Sequence, residues 1–177
     1  GWLPPRPSLA ARSIVGAVQA HRVSWMQNMA LRENRVLDGM LLGHLSHGNA
    51  FFASTSAIAM GGLAAMLGSG EKVQAMLERL PLVRRVPAEL YEAKVIFMMA
   101  VFIYAFFKFA WAFRLSHYVA IMIGSTPLLT SDTRPDCEQH ATRTARLVGI
   151  AAEHANAGIR AFYYAIAGIG WVFHPLL

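Results

Sequence analysis

The longest uncharged run in the chain, residues 39–70, limits what the sequence can fold into more than any other feature. No Lys, Arg, Asp or Glu interrupts it. A hydrocarbon core about 30 Å thick takes roughly 20 apolar helical residues to cross, and helices in soluble cores rarely stay neutral for so long. The run therefore predicts a membrane-spanning helix at about 41–68 and an integral membrane protein.

The composition agrees with a helical membrane domain. Hydrophobic residues make up 55% of the chain and charged residues 15%, against about 25% charged residues in soluble domains. No long Ser, Gly or Pro linker separates two cores in the 177 residues, so we predict a single transmembrane helical domain, 1–177, of the all-α class. Cys137 is the sole cysteine, which excludes an intrachain disulfide.

Two further apolar segments follow the first. Residues 95–113 contain Lys108 as their single charge and lead into more apolar sequence, which predicts a second span at about 95–118. The third predicted span, 157–177, is short, and Pro175 falls inside its last turn. This ending and the aromatic, proline-rich start of the chain lead us to expect a sequence that is incomplete at both ends.

The segments beside the spans are also predicted to be helical. Apolar residues recur through 8–38 between basic and amide residues, a pattern typical of an amphipathic helix on a membrane surface or against a neighbouring helix. Pro87 begins a helix that nothing breaks before Gly124, and about 37 residues at 1.5 Å each extend it beyond the bilayer. A loop at 124–135 then precedes a long helix from 136 to 173, and 71–80 forms a short surface helix.

The distribution of charge predicts an orientation. The 6–38 and 114–160 regions lie on one face if the number of crossings between them is even, and together they carry ten basic residues, against five in 71–94. The positive-inside rule makes that face cytoplasmic, in a bacterial inner (plasma) membrane. The net charge of +6 favours anionic lipid headgroups as partners rather than nucleic acid, for which no binding motif appears.

Small residues spaced by four predict close helix packing. One such stripe lies in the first span, and a second lies in the last helix. Stripes of this kind serve packing within a chain and oligomerisation equally, so partners are either other membrane subunits or further copies of the chain. The two sets are Ala53, Ala57, Gly61 and Ala65, and Ala157, Ala161 and Ala165.

A charged box precedes the first span. Its helical spacing allows Asn34 and Arg35 to reach Asp38. The box either binds a headgroup or guards a vestibule, or it is a salt-bridged collar that fixes the depth of the helix. The box comprises Arg32, Glu33, Asn34, Arg35 and Asp38.

Lys108 is the second polar feature. It shares one helix face with Tyr104, Trp111 and Tyr118, and no carboxylate lies in the apolar spans to pair with it. The residue either extends to an interface and a phospholipid phosphate, or faces an anion path or a ligand.

A polar stripe on the last helix is the third feature, formed by Arg146, Glu153, Asn156, Arg160 and Tyr164. It either lines a pore or binding site, or joins the charged box through Glu153 and Arg160, which are complementary to Arg35 and Asp38. The joining role is slightly favoured.

Histidines form the fourth group. His44 and His47 lie three residues apart in the first span, and His117 and His174 lie near the ends of the other two. Histidines of this kind ligate haem between membrane helices, but one pair on a single face needs a further ligand from another helix. The spacing does not supply the ligands that zinc needs. We predict no cofactor or metal, with haem as an alternative.

Three long stretches, 32–68, 91–118 and 154–175, together resemble the bacterial and plant membrane proteins grouped as domain of unknown function 599. The resemblance covers most of the chain from about Arg22 onward. It implies a spanning helix before Leu9 and apolar sequence after Pro175, and it does not imply fixed histidines at 44 and 47. The family has no established activity, so the resemblance implies no catalytic residue.

No enzyme motif is present: the sequence lacks a phosphate-binding glycine loop, a GxSxG turn, HExxH and paired Cys ligands. The first functional hypothesis is therefore a structural or accessory subunit of a membrane assembly. The alternatives are an oligomeric channel or transporter with a polar path near Lys108, Asn156 and Arg160, and a haem- or ligand-binding membrane protein.

Overall fold

The computed structural model describes residues 14–70 and 87–173, and all regular structure in these residues is helical, as predicted. The short helix predicted at 71–80 and the predicted ends of the chain, including His174 and Pro175, lie outside the described residues. The four helices are α1 (Ile14–Ala30), α2 (Val36–Gly68), α3 (Ala88–Gly124) and α4 (Arg134–Phe173).

The predicted amphipathic segment 8–38 is divided between two helices in its described part. The N–H groups of Leu31 and Arg32 donate to carbonyls of the last turn of α1 at 3.3 and 3.1 Å. Asn34 then turns the chain, because its side-chain oxygen accepts the N–H of Val36 at 3.0 Å. An asparagine side chain that binds the backbone two residues ahead competes with a helical conformation, so α2 begins afresh at Val36.

Helix α1 buries only its last turns. Met26 and Met29 are completely buried, whereas Ile14 at the other end is 83% exposed. The apolar stripe predicted from spacing therefore packs within the protein only near Ala30. The remaining apolar side chains of α1 face outward.

Helices α2 and α3 are the two described helices that are long and apolar enough to cross a membrane, judged by length and composition. They contain 33 and 37 residues. In the most apolar part of α2 only 6% is buried inside the protein, against 33% for α3. Helix α4 has 40 residues but does not meet the same measure within the described residues, so the third predicted span is still a prediction.

The loop before α4 is held by threonines. Thr133 donates its hydroxyl to the carbonyl of Leu128 at 2.6 Å, and its hydroxyl oxygen accepts the N–H of Thr130 at 2.8 Å. The carbonyl of Thr133 then accepts the N–H of Cys137 at 3.0 Å, which begins the helix two residues before the predicted start.

The described residues belong to two compact units, 14–46 with 114–152, and 47–70 and 87–113 with 153–173. In the first unit, α1, the start of α2, the end of α3 and the start of α4 share one apolar cluster. It is built from Met26, Met29, Leu42, Val119, Ile123, Ala145 and Val148.

The second unit packs α2, α3 and α4 around aromatic side chains. Phe109 is completely buried and stacks on Phe52, their ring centroids 5.2 Å apart. Phe162 of α4 meets both Phe52 and Phe102 edge to face. Within this unit the late α3 residue Phe109 meets Phe52 and Gly158, which lie early in the unit's parts of α2 and α4. Helix α3 therefore runs antiparallel to these two helices within the unit.

Candidate functional site

The charged box in the first unit centres on the completely buried Asp38. Its Oδ1 accepts the indole N–H of Trp25 at 2.7 Å and a guanidinium N–H of Arg32 at 3.0 Å. Arg35, the partner predicted for Asp38, does not pair with it, because the turn at Asn34 interrupts the helical spacing on which the prediction depended. Oδ2 of Asp38 is buried without a hydrogen-bond partner among the described residues.

Arg35 instead binds backbone oxygens. Its two terminal nitrogens donate to the carbonyls of Thr126 and Pro127, both at 2.8 Å, and its Nε donates to the carbonyl of Met29 at 3.4 Å. The planar guanidinium thus connects the start of α2 to the α3–α4 loop. Arg35 and Asp38, which were expected to pair with Glu153 and Arg160, therefore both have other partners. The contacts of Arg32, Arg35 and Asp38 join α1, the start of α2 and the α3–α4 loop within the first unit.

Lys108 lies in a groove of about 370 Å³ in the second unit. Three aromatic side chains of α3, Tyr104, Phe107 and Trp111, form most of the lining, and His154 of α4 completes it. The ammonium nitrogen of Lys108 lies 5.3 Å from the centre of the Tyr104 ring. A cation over an aromatic face is attracted by the ring quadrupole, so Tyr104 partly compensates a charge that has no carboxylate in the groove.

His154 lies three residues before the predicted third span and gives the groove a second nitrogen donor or acceptor. Its ring packs edge to face with Trp111 at 6.5 Å, and its Nδ1 is buried without a hydrogen-bond partner in the described structure. Burial lowers the pKa of His154, and the positive charge of Lys108 lowers it further, against an opposite effect of Glu153. Burial and Lys108 thus both favour the neutral imidazole.

The other predicted polar residues are not brought to this groove. Glu153, Arg160 and Tyr164 are exposed, and Asn156 is half-buried without lining the groove. Of Lys108, Asn156 and Arg160, the predicted polar path, only Lys108 lines the groove. His154, which was not predicted, lines it too.

The histidines proposed as haem ligands are on the outside of the described helices. His44, His47 and His117 are all exposed. Across residues 14–70 and 87–173, no three or more His, Cys, Asp or Glu side chains are grouped in a way that could hold a metal ion. The haem alternative stays a prediction.

The sequence pattern of the family described as "Protein of unknown function, DUF599" matches residues 3–177. The chain belongs to this family. No curated protein and no solved structure is significantly similar to it. Membership in DUF599 brings no activity with it.

Sequence reasoning missed a second lysine in this DUF599 protein. Lys94 is only 3% exposed, and its ammonium group donates to the carbonyl of Trp171 at 2.8 Å while lying 4.7 Å from the centre of the Trp171 ring. The residue four positions after Trp171 is Pro175, which has no N–H, so the Trp171 carbonyl lacks the donor that a helix ordinarily supplies. Lys94 of α3 therefore caps this carbonyl of α4.

Proposed function

We propose that the protein is a multi-pass membrane protein that serves as a structural subunit of a membrane assembly. The support for membrane insertion is the pair of long apolar helices, α2 and α3, whose outward side chains have little protein to bury against. An exposed apolar surface of this extent is stable in lipid but costly in water.

The proposed location is a bacterial inner membrane, with the 6–38 and 114–160 regions on the cytoplasmic side. Ten basic residues in those regions support this orientation, since basic residues are enriched on the cytoplasmic face. Anionic headgroups of that leaflet are then the first partners of the chain.

The observation that carries the structural role is the outer face of α2. Small residues recur on it at alternating intervals of three and four, the period of a seam between two helices. All of them are exposed, and a Cβ added at Gly61 would meet nothing within 4 Å. We call this the α2 seam; it comprises Ser54, Ala57, Gly61, Ala64 and Gly68.

A second copy of the chain is the occupant that the α2 seam fits best. In lipid, helices associate through close packing of small residues rather than through hydrophobic burial. A face that has the same small character along several turns is complementary to itself about a two-fold axis. Two copies therefore supply matching surfaces without requiring any other protein.

Disulfide crosslinking in native membranes tests this proposal. Cysteine at Gly61, on the seam, is expected to give a covalent dimer on mild oxidation. The control is cysteine at Ser56, which is completely buried on the opposite side of α2 and is expected to give none. A monomer for both variants, or a Gly61→Cys product whose mass shows a different chain, would overturn the pairing of copies.

The channel or transporter alternative is less well supported. It requires a polar path through Lys108, Asn156 and Arg160, yet the groove at Lys108 is lined by neither of the other two. The structural-subunit proposal requires no such path. It also agrees with the expectation that the protein is not an enzyme and requires neither haem nor a nucleic-acid partner.

A further inference from the structure

The groove around Lys108 combines a cation with apolar walls. Tyr104, Phe107 and Trp111 are each at least half exposed, so their rings present open faces rather than filling the protein interior. The polar groups that accompany them are the ammonium of Lys108 and the imidazole of His154. A ligand that fits this lining has an anionic group attached to an apolar body.

The two polar groups are both available to a ligand. The ammonium group of Lys108 lies over the Tyr104 ring, and the ion pair between Arg32 and Asp38 lies elsewhere. Because Nδ1 of His154 is buried without a partner, the accessible nitrogen is Nε2. A buried lone pair is better tolerated than a buried unpaired N–H, so the proton of the neutral ring belongs on Nε2, as a donor.

The position of Lys108 along α3 indicates where such an anion would come from. Lys108 lies within the apolar run 95–113, and its ammonium nitrogen is turned back over the ring of Tyr104, so the charge stays among apolar side chains. A cation at such a position is costly in lipid unless an anion accompanies it. Phosphate is the anion that the lipids of a membrane themselves carry.

We propose that the groove binds a phosphate group through Lys108 Nζ and His154 Nε2, with Tyr104 and Trp111 against the apolar part of the ligand. The phosphate is that of an anionic phospholipid, which has the apolar body that the rings contact; free inorganic phosphate, which would use the two polar groups alone, is the other source that the experiment distinguishes. This inference rests on the membrane placement proposed above, but it is independent of dimerisation through α2.

Lipid retention tests the proposal. The protein is assembled in nanodiscs of mixed phosphatidylglycerol and phosphatidylcholine and then released into detergent, and the retained lipids are quantified by native mass spectrometry. The wild type is expected to retain phosphatidylglycerol preferentially, and Lys108→Met to lower that retention about tenfold or more, the value of a lost charged hydrogen bond. Lys108→Arg, which keeps a cation in the groove, is expected to restore most of it.

Arg160→Gln is the matched control, because Arg160 is an exposed basic residue of the same unit that does not line the groove. It is expected to behave as the wild type. Equal losses for Lys108→Met and Arg160→Gln, or no preference in the wild type, would overturn the site. His154→Gln supplies a second variant, expected to weaken retention, if Lys108→Met does not fold.

Added inorganic phosphate separates the two sources of the anion. Displacement of the retained lipid at millimolar phosphate would assign the groove to free phosphate, whereas lipid retained throughout the titration assigns it to a headgroup. A wild-type protein that does not incorporate into nanodiscs contradicts the membrane placement and the groove proposal together. Incorporation without lipid preference contradicts the groove proposal alone.

Discussion

At the scale of single residues, Gly158 determines how closely α4 approaches α3. A Cβ built at Gly158 would lie 2.9 Å from a ring carbon of the completely buried Phe109, which itself stacks on Phe52. Burial and the stacked Phe52 ring resist displacement of Phe109. We expect Gly158→Ala to lower the free energy of unfolding by about 1 to 3 kcal/mol through overpacking, partly offset by the higher helix propensity of alanine.

Gly149 provides the control for this prediction. A Cβ there would lie 2.7 Å from the amide nitrogen of Gln19, the far end of a flexible side chain that can turn aside. Gly149→Ala is therefore expected to leave the thermal midpoint unchanged or raised. Thermal melts of both variants in one detergent check the pair; equal midpoints would contradict the role given to Phe109.

Lys94 allows a second prediction at this scale. Lys94→Met leaves the Trp171 carbonyl without its charged donor, which we expect to cost about 1.5 to 3 kcal/mol and to loosen the end of α4. Hydrogen exchange of the last described turn measures this effect. Lys108→Met is the comparison, since Lys108 donates no hydrogen bond to backbone there; similar exchange in both variants would argue against Lys94 as a cap.

At the scale of elements, Arg35 makes the start of α2 and the α3–α4 loop one structure. Replacing it with glutamine removes two charged hydrogen bonds of 2.8 Å, and we expect faster hydrogen exchange across 114–130 with a loss of a few kcal/mol. Arg35→Lys is expected to recover only part, because an ammonium cannot match the planar fork. Arg143→Gln, an exposed arginine of the same unit, is the control and is expected to be silent.

The break between α1 and α2 is the element that sequence patterns described least well. Apolar spacing continues through it, and the deciding interaction is the single hydrogen bond between the Asn34 side chain and Val36. Because the break changes the helical register, Asp38 meets Arg32 rather than Arg35. Periodicity detects a helical face but not a local turn that competes with it.

At the scale of the whole molecule, α2 and α3 could be predicted because a long run without charged residues is visible in the sequence itself. The predicted bounds of α3 agree with the structure, and Lys108 was identified because it is the single charge in an apolar run. Its groove was only partly predictable: His154 comes from another helix, and spacing within one helix does not bring it to Lys108. Lys94 was missed for the same reason, since its partner lies 77 residues away.

The buried thiol of Cys137 is a natural reporter of how often the first unit opens locally. The sulfur is completely buried, contacts the Pro127 carbonyl at 3.6 Å and packs with Ala30 and Ala141. A thiol reagent can therefore reach it only when this part of the first unit separates. Since the chain has no other cysteine, the rate of labelling in intact membranes reports the frequency of that separation without any engineered probe.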